Sequence, residues 1–267
     1  MVVKHILKLV VLSLSILSLN CTSYTNCLGL NDLKDSIINI THTHNKTILP
    51  YDSFVKLVKN VSDKNGNTLY SSVASGVVLS HGTDHTKILT ARHFCTGIEG
   101  KESTIPEELY PLKDETVIID VEKNIHTMLF YTFDDKQDIC VVITKKIEQP
   151  AIVLSPVAPQ RGEKVFNIAA PLGISDGKAV LLFEGYYAGE IKSPLTGLNS
   201  SLYSIPTKSG SSGSAILNEH GELIGITYAG VSEFENVCIA VPWKDLKSFI
   251  EFVESVPVPK LDIIETE

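Results

Sequence analysis

The sequence predicts an all-β chain of two six-stranded antiparallel β-barrels closed off by a C-terminal helix. Three observations carry this expectation. Twelve short apolar runs follow one another between residues 51 and 241. Turn-forming clusters such as Asn65-Gly66-Asn67, His81-Gly82-Thr83 and Glu219-His220-Gly221 punctuate them. A clear helical period appears only after the last run, where Leu246, Phe249, Ile250 and Val253 fall on one face of 243–253.

The runs divide into two sets of six. The first set is Phe54–Val61, Leu69–Leu79, Lys87–Ala91, Thr116–Val121, Thr127–Phe133 and Ile139–Thr144. The second begins after Pro150 with Lys164–Ala169 and continues through Val180–Tyr187, Ser201–Ile205, Ala215–Leu217, Leu223–Tyr228 and Val237–Val241. No long helices alternate with these runs, so a parallel sheet with crossover helices is not expected. The expected domain spans 51–255, with a first barrel over 51–149 and a second barrel plus helix over 150–255. The last residues, 256–267, form a short acidic tail.

Residues 1–21 read as an export signal. Lys4 and Lys8 precede a stretch from Leu9 to Leu19 broken only by serines, too short for a spanning helix. Cys21 follows almost at once, as in bacterial lipoprotein signals, although Asn20 replaces the usual small residue. Lipidation of Cys21, simple cleavage and an uncleaved anchor all remain open. The chain is therefore expected to be exported, whether periplasmic, secreted or membrane-anchored. Residues 22–50 are rich in Asn, Thr, Ser and His and read as a polar linker, in which His42 and His44 are solvated surface rather than a metal site.

The 267 residues are 43% hydrophobic and 20% charged, an ordinary globular composition. The net charge of −8 comes with no Lys/Arg run, which argues against a nucleic-acid partner. No metal or other cofactor is expected. Of the five cysteines, Cys140 and Cys238 lie in apolar runs and read first as small buried residues. A disulfide from Cys95 to either one is open in an exported chain.

Three short motifs carry chemistry. In Gly210-Ser211-Ser212-Gly213-Ser214-Ala215, glycines flank a serine between two apolar runs, which suits an exposed nucleophile on a tight turn. His93 closely follows the run Ile88-Leu89-Thr90-Ala91, and Asp138 opens the run Ile139–Ile143. Each motif alone is weak, since such a His or Asp is more often structural. Their joint occurrence in the order His, Asp, Ser, 45 and 74 residues apart and all beside strands, is hard to obtain by chance.

Together these motifs resemble the trypsin-like serine peptidases of the two-barrel, chymotrypsin-like fold, closest in style to bacterial HtrA-type enzymes. Ser75-Gly76-Val77-Val78, Pro171-Leu172-Gly173 and Ile239-Ala240-Val241-Pro242 add weaker matches. The resemblance covers about 51–255 and leaves no room after it for a PDZ domain in this sequence. It implies a serine endopeptidase acting on protein or peptide substrates, with His93, Asp138 and Ser212 as catalytic triad. The amides of Gly210 and Ser212 would form the oxyanion hole. Thr207, Lys208, Tyr228, Ala229 and Gly230 would bind substrate. No acid lies in these pocket stretches, so an apolar side chain is expected there in preference to Arg or Lys; Lys208 would alternatively favour an acidic one. Ser211 replaces an aspartate that pairs with a newly cut N-terminus in digestive members, so that mode of activation is not implied. Arg92 is bulkier than usual beside the histidine and would shape one side of the cleft.

Two other readings compete. A catalytically inactive binding protein of the same fold would keep these residues without turnover. A β-rich surface lipoprotein would leave the three motifs as coincidence. A cysteine peptidase lacks a Cys in an exposed, Gly-rich setting.

Overall fold

A computed structural model describes residues 48–97, 113–193, 197–231 and 233–259. The expected signal and most of the linker lie outside these residues, as does most of the tail.

The first barrel comprises β1 (Phe54–Ser62), β2 (Thr68–His81), β3 (His85–Thr90), β4 (Lys113–Asp120), β5 (Ile125–Phe133) and β6 (Cys140–Lys145). Its strand order is β1-β2-β3-β6-β5-β4, closed because β4 pairs back onto β1 from Val55↔Asp120 to Ser62↔Lys113. Between β3 and β4 lies a one-turn helix, α1 (Arg92–Thr96).

The second sheet holds β7 (Lys164–Ala169), β8 (Ser175–Asp176), β9 (Ala179–Lys192), β10 (Asn199–Tyr203), β11 (Ala215–Leu217), β12 (Leu223–Val231) and β13 (Phe234–Val241). Its order is β10-β13-β12-β11-β7-β9-β8. The additional β9–β10 pairing closes six of these strands into a second barrel and leaves β8 as a short appendage. Every pairing between these strands is antiparallel. The chain then forms α2 (Trp243–Ser255).

The expected fold class is thus the observed one, with two differences. The two-residue β8 has no apolar pattern to betray it. β9 runs on to Lys192 instead of stopping at Tyr187, because its first half pairs with β7 and its second half with β10. Those later residues include Glu190 and Lys192, whose polarity hides a strand held by backbone pairing rather than by burial.

Three apolar clusters explain why so many strands read as continuous runs instead of alternating ones. Val55, Leu57, Val78, Ile88, Ile118, Cys140 and Val142 fill the first barrel. Val165, Tyr187, Tyr203, Ile205, Ile216, Ile224 and Cys238 fill the second. The opposite faces of the same strands meet between the barrels: Val77, Leu89, Val141 and Ile143 from the first, Ile168, Ala215, Leu217, Ile226 and Val241 from the second. A strand buried on both faces has no polar face to show in its sequence. Burying a Val, Leu or Ile side chain contributes roughly 1.5–3 kcal/mol, so this shared layer locks the two barrels in register.

Helix α2 adds its buried stripe, Leu246, Phe249, Ile250 and Val253, to the same layer. Pro242 stands at its N-cap, and Asp245 in its first turn suits the positive end of the helix dipole. The buried Lys87 of β3 donates to the Val253 carbonyl at 2.9 Å and pairs with Glu254 at 3.3 Å, so the first barrel holds the helix C-terminus.

Candidate active site

The site lies on the seam between the barrels. α1 follows β3 after the single residue Ala91; Leu89 of β3 and Ala91 are fully buried, and this anchoring sets His93 at the barrel rim. Lys59 of β1 is 1% exposed and donates to the Cys95 carbonyl at 2.7 Å, capping the end of α1. Asp138 ends the loop before β6. There the Asp134 carboxylate accepts the Lys136 and Gln137 amides at 2.6 and 2.8 Å, forming a tight turn.

The structure brings His93 and Asp138 together through two hydrogen bonds. The backbone amide of His93 donates to Asp138 Oδ1 at 3.0 Å, and His93 Nδ1 lies 2.8 Å from Asp138 Oδ2. His93 Nε2 lies 2.9 Å from Ser212 Oγ across the seam. With the neutral ring protonated on Nδ1, Asp138 accepts from the imidazole and Ser212 donates to it. Asp138 Oδ1, engaged by a backbone amide, cannot rotate away without breaking that bond.

The serine loop is fixed from the first barrel by Ser75. The Ser75 amide donates to the Ser212 carbonyl at 2.8 Å, and its hydroxyl donates to the Gly210 carbonyl at 2.9 Å. The same hydroxyl accepts the Ala170 amide at 2.9 Å, while Thr90 Oγ1 donates to the Ser75 carbonyl at 2.8 Å. Ser75 is fully buried, so these bonds are shielded from water.

Two glycines let the loop fit. Gly210 has φ +93°, and a Cβ there would meet the Ala170 carbonyl oxygen at 2.5 Å. Gly213 has φ +82°, and a Cβ would clash with Thr90 Oγ1 and the Ser75 carbonyl. In both places the positive φ and the close backbone exclude other residues. The amides of Ser211, Gly213 and Ser214 donate to backbone carbonyls, of Lys208, Thr227 and Ser211 respectively. Those of Gly210 and Ser212 donate to no acceptor among the described residues, leaving two N–H groups beside Ser212 Oγ for a ligand oxygen.

Beside Ser212 opens a cavity of about 330 Å³ lined by Thr207, Lys208, Ser209, Ala229 and Gly230, among others. Four of the five residues expected to bind substrate therefore line one cavity. Tyr228 does not. It is 4% exposed, packs into the layer between the barrels, and its hydroxyl bonds to Ser200. The sequence expectation at Tyr228 is corrected: the pairing of β12 with β13 shifts register between Thr227 and Ala229, and the Tyr228 side chain is buried between the barrels, whereas Ala229 and Gly230 line the opening. Sequence reasoning missed Glu235 of β13, whose Oε1 lies 2.7 Å from Lys208 Nζ. No local motif marks it, since register between loop and strand brings it there.

A second cavity of about 330 Å³ flanks His93 on its other side, between Arg92, Thr96, Lys136, Gln137 and Leu198. Arg92 forms one wall: its guanidinium stacks over the Phe133 ring at 4.5 Å and donates to the Asp134 and Asp135 carbonyls. A disulfide joins Cys95 to Cys140. Each cysteine sits two residues beyond His93 or Asp138, so the bond cross-links the segments that carry them. Cys140 is thus buried, as its apolar run suggested, but not as a free thiol. Cys238 is a free, buried thiol in the second barrel, 3.3 Å from Thr227 Oγ1. Among the described residues no group of three His, Cys, Asp or Glu is placed to hold a metal ion.

The chain matches the family described as "Trypsin-like peptidase domain" over residues 74–226. No curated protein matches the sequence. Among solved structures, Rv3671c from M. tuberculosis, an inactive form carrying a serine-to-alanine mutation, is similar with a TM-score of 0.54 and 11% identity; 78% of this chain covers 90% of that one. The serine endoprotease from Yersinia pestis is similar with a TM-score of 0.54 and 18% identity, over 76% of this chain and 63% of that chain. At these identities the two structures show the shared fold.

Proposed function

The chain belongs to the trypsin-like peptidase family, and on that premise we propose that it is a serine endopeptidase using His93, Asp138 and Ser212 as its triad. One observation carries the reading: the continuous hydrogen-bonded path from Asp138 through His93 to Ser212, spanning both barrels. Ser212 Oγ attacks the carbonyl carbon of the scissile bond while its proton passes to His93 Nε2. Asp138 keeps the ring in the tautomer that leaves Nε2 free and stabilises the imidazolium that forms. The negative oxygen of the tetrahedral intermediate enters the space beside the Gly210 and Ser212 amides, each donor being worth about 10²–10³ in rate. The intermediate collapses, His93 gives its proton to the leaving amine, and water then cleaves the acyl-enzyme by the same steps in reverse roles.

Export belongs to the same proposal. The apolar N-terminal run reads as a signal, and the Cys95–Cys140 disulfide suits an oxidising compartment.

The test is covalent labelling by a fluorophosphonate, run on wild type and Ser212→Ala, together with cleavage of a peptide library. Labelling and cleavage by wild type alone are expected, with turnover falling on the order of 10⁶ in the variant. A folded wild type that neither labels nor cleaves would turn the reading toward a binding protein that keeps the fold without turnover.

A further inference from the structure

We propose that the Lys208–Glu235 ion pair is a charge filter on the substrate cavity, so that the enzyme selects an uncharged side chain at the residue whose carbonyl Ser212 attacks. This rests on the peptidase reading above and adds Glu235 as a residue that sets specificity.

Three observations combine. Lys208 brings the charged group among the residues lining the cavity beside Ser212. Its ammonium is 2.7 Å from Glu235 Oε1, a charge-assisted hydrogen bond within the short range for such pairs. The pair stays partly in solvent, 48% exposed at Lys208 and 69% at Glu235, and the backbone holds the two segments that carry it side by side. The Thr207 amide donates to the Glu235 carbonyl at 3.2 Å, tying the cavity-lining segment to β13 directly beside the pair. The hydrogen bond from Lys208 and its positive charge hold the Glu235 carboxyl below its ordinary range, so Glu235 is a carboxylate at neutral pH.

The physical consequence follows from desolvation. A charged side chain entering the cavity gives up water and needs an opposite charge in exchange. An incoming carboxylate would find Lys208 already paired and Glu235 repelling it. An incoming ammonium would find Glu235 paired and Lys208 repelling it. An uncharged side chain meets neither penalty. Removing one partner unmasks the other: Glu235→Gln exposes a free cation to the cavity, and Lys208→Gln exposes a free anion. A unit charge several ångströms away, at an effective dielectric between protein and water, should shift selectivity about tenfold, and less as salt rises.

The experiment compares kcat/KM for three quenched peptides that differ only in Leu, Glu or Lys at the attacked residue. It is run on wild type, Glu235→Gln, Lys208→Gln and the double variant, each scaled by fluorophosphonate-titrated active sites. Wild type is expected to favour the Leu peptide. Glu235→Gln should raise the Glu:Leu ratio about tenfold and Lys208→Gln the Lys:Leu ratio similarly, while the double variant returns both ratios toward wild type. Ratios that move less than about threefold in both single variants would overturn the filter while leaving the peptidase reading intact. So would a wild type that already favours Glu or Lys. A wild type that neither labels nor cleaves any of the three overturns the peptidase reading, and the filter with it.

Discussion

Replacing Ser75 by alanine tests how the first barrel holds the serine loop of the second. The hydroxyl lost in Ser75→Ala donates to the Gly210 carbonyl and accepts the Ala170 amide, both at 2.9 Å and both in a fully buried setting. The substitution leaves two backbone groups without a partner, each costing about 1–3 kcal/mol, so the fold should lose about 2–4 kcal/mol after partial relaxation. The Ser75 amide still holds the Ser212 carbonyl, so the loop should remain near its place. Freed of its bond, however, the Gly210–Ser211 peptide can tilt, and it lies between the two proposed oxyanion donors. Full loss of one donor costs 10²–10³; imperfect alignment should cost about 10–100-fold in kcat with little change in KM. Urea denaturation measures the first quantity, and kcat and KM for a cleaved peptide, per active site titrated with a fluorophosphonate, measure the second. A stability loss with unchanged kcat would reduce Ser75 to a packing role. Unchanged stability would refute the hydrogen-bond argument altogether.

Three further outcomes are expected. Replacing Cys95 and Cys140 together by alanine opens a 45-residue loop and should lower stability by up to about 4 kcal/mol in denaturant titrations; a loss below about 1 kcal/mol would show that the bond adds little to the barrel. The second concerns Asp120. Burial alone would raise its carboxyl, but hydrogen bonds from the His126 and Asn124 side chains and the Asn124 and Glu122 amides outweigh it and hold the group below its ordinary value of 3.8. A depressed folded value adds stability that is complete above the unfolded value and fades as pH falls through the folded one. Wild type should therefore exceed Asp120→Asn most above about pH 5, with the gap closing below 3.8; a gap independent of pH would show that the charge is immaterial. Third, burial pushes the Cys238 thiol up to about 11, so mass mapping should find it unalkylated by iodoacetamide at pH 8 in the native protein and modified in urea. Rapid native labelling would mean that the second barrel opens readily.

The resemblance in the sequence already pointed to both barrels, because short apolar runs and Gly-rich turns are local properties that need no partner to be recognised. His93, Asp138 and Ser212 stood out for a similar reason: each sits at a strand boundary within a distinctive neighbourhood, and the chain order of the three is readable without coordinates. Local pattern says nothing, however, of what lies across a seam. Whether Cys95 pairs with Cys140 or Cys238 was open until β3 and β6 were seen to be neighbours, with Cys238 enclosed in the other barrel. Tyr228 looked like a cavity residue because its neighbours are, and only its burial between the barrels sets it apart from them. Ser75 was one weak match among several. Its hold on Gly210, 135 residues away, exists only because the barrels pack face to face. Glu235 carried no signal at all, and it meets Lys208 through the path of β13 past the serine loop. The sequence by itself determined most of the strands, the turns and which groups are proposed to react, since these depend on side-chain chemistry and short-range backbone preference. The distances between those groups, and the charges that surround them, were decided by packing, because they depend on contacts between segments far apart in the chain.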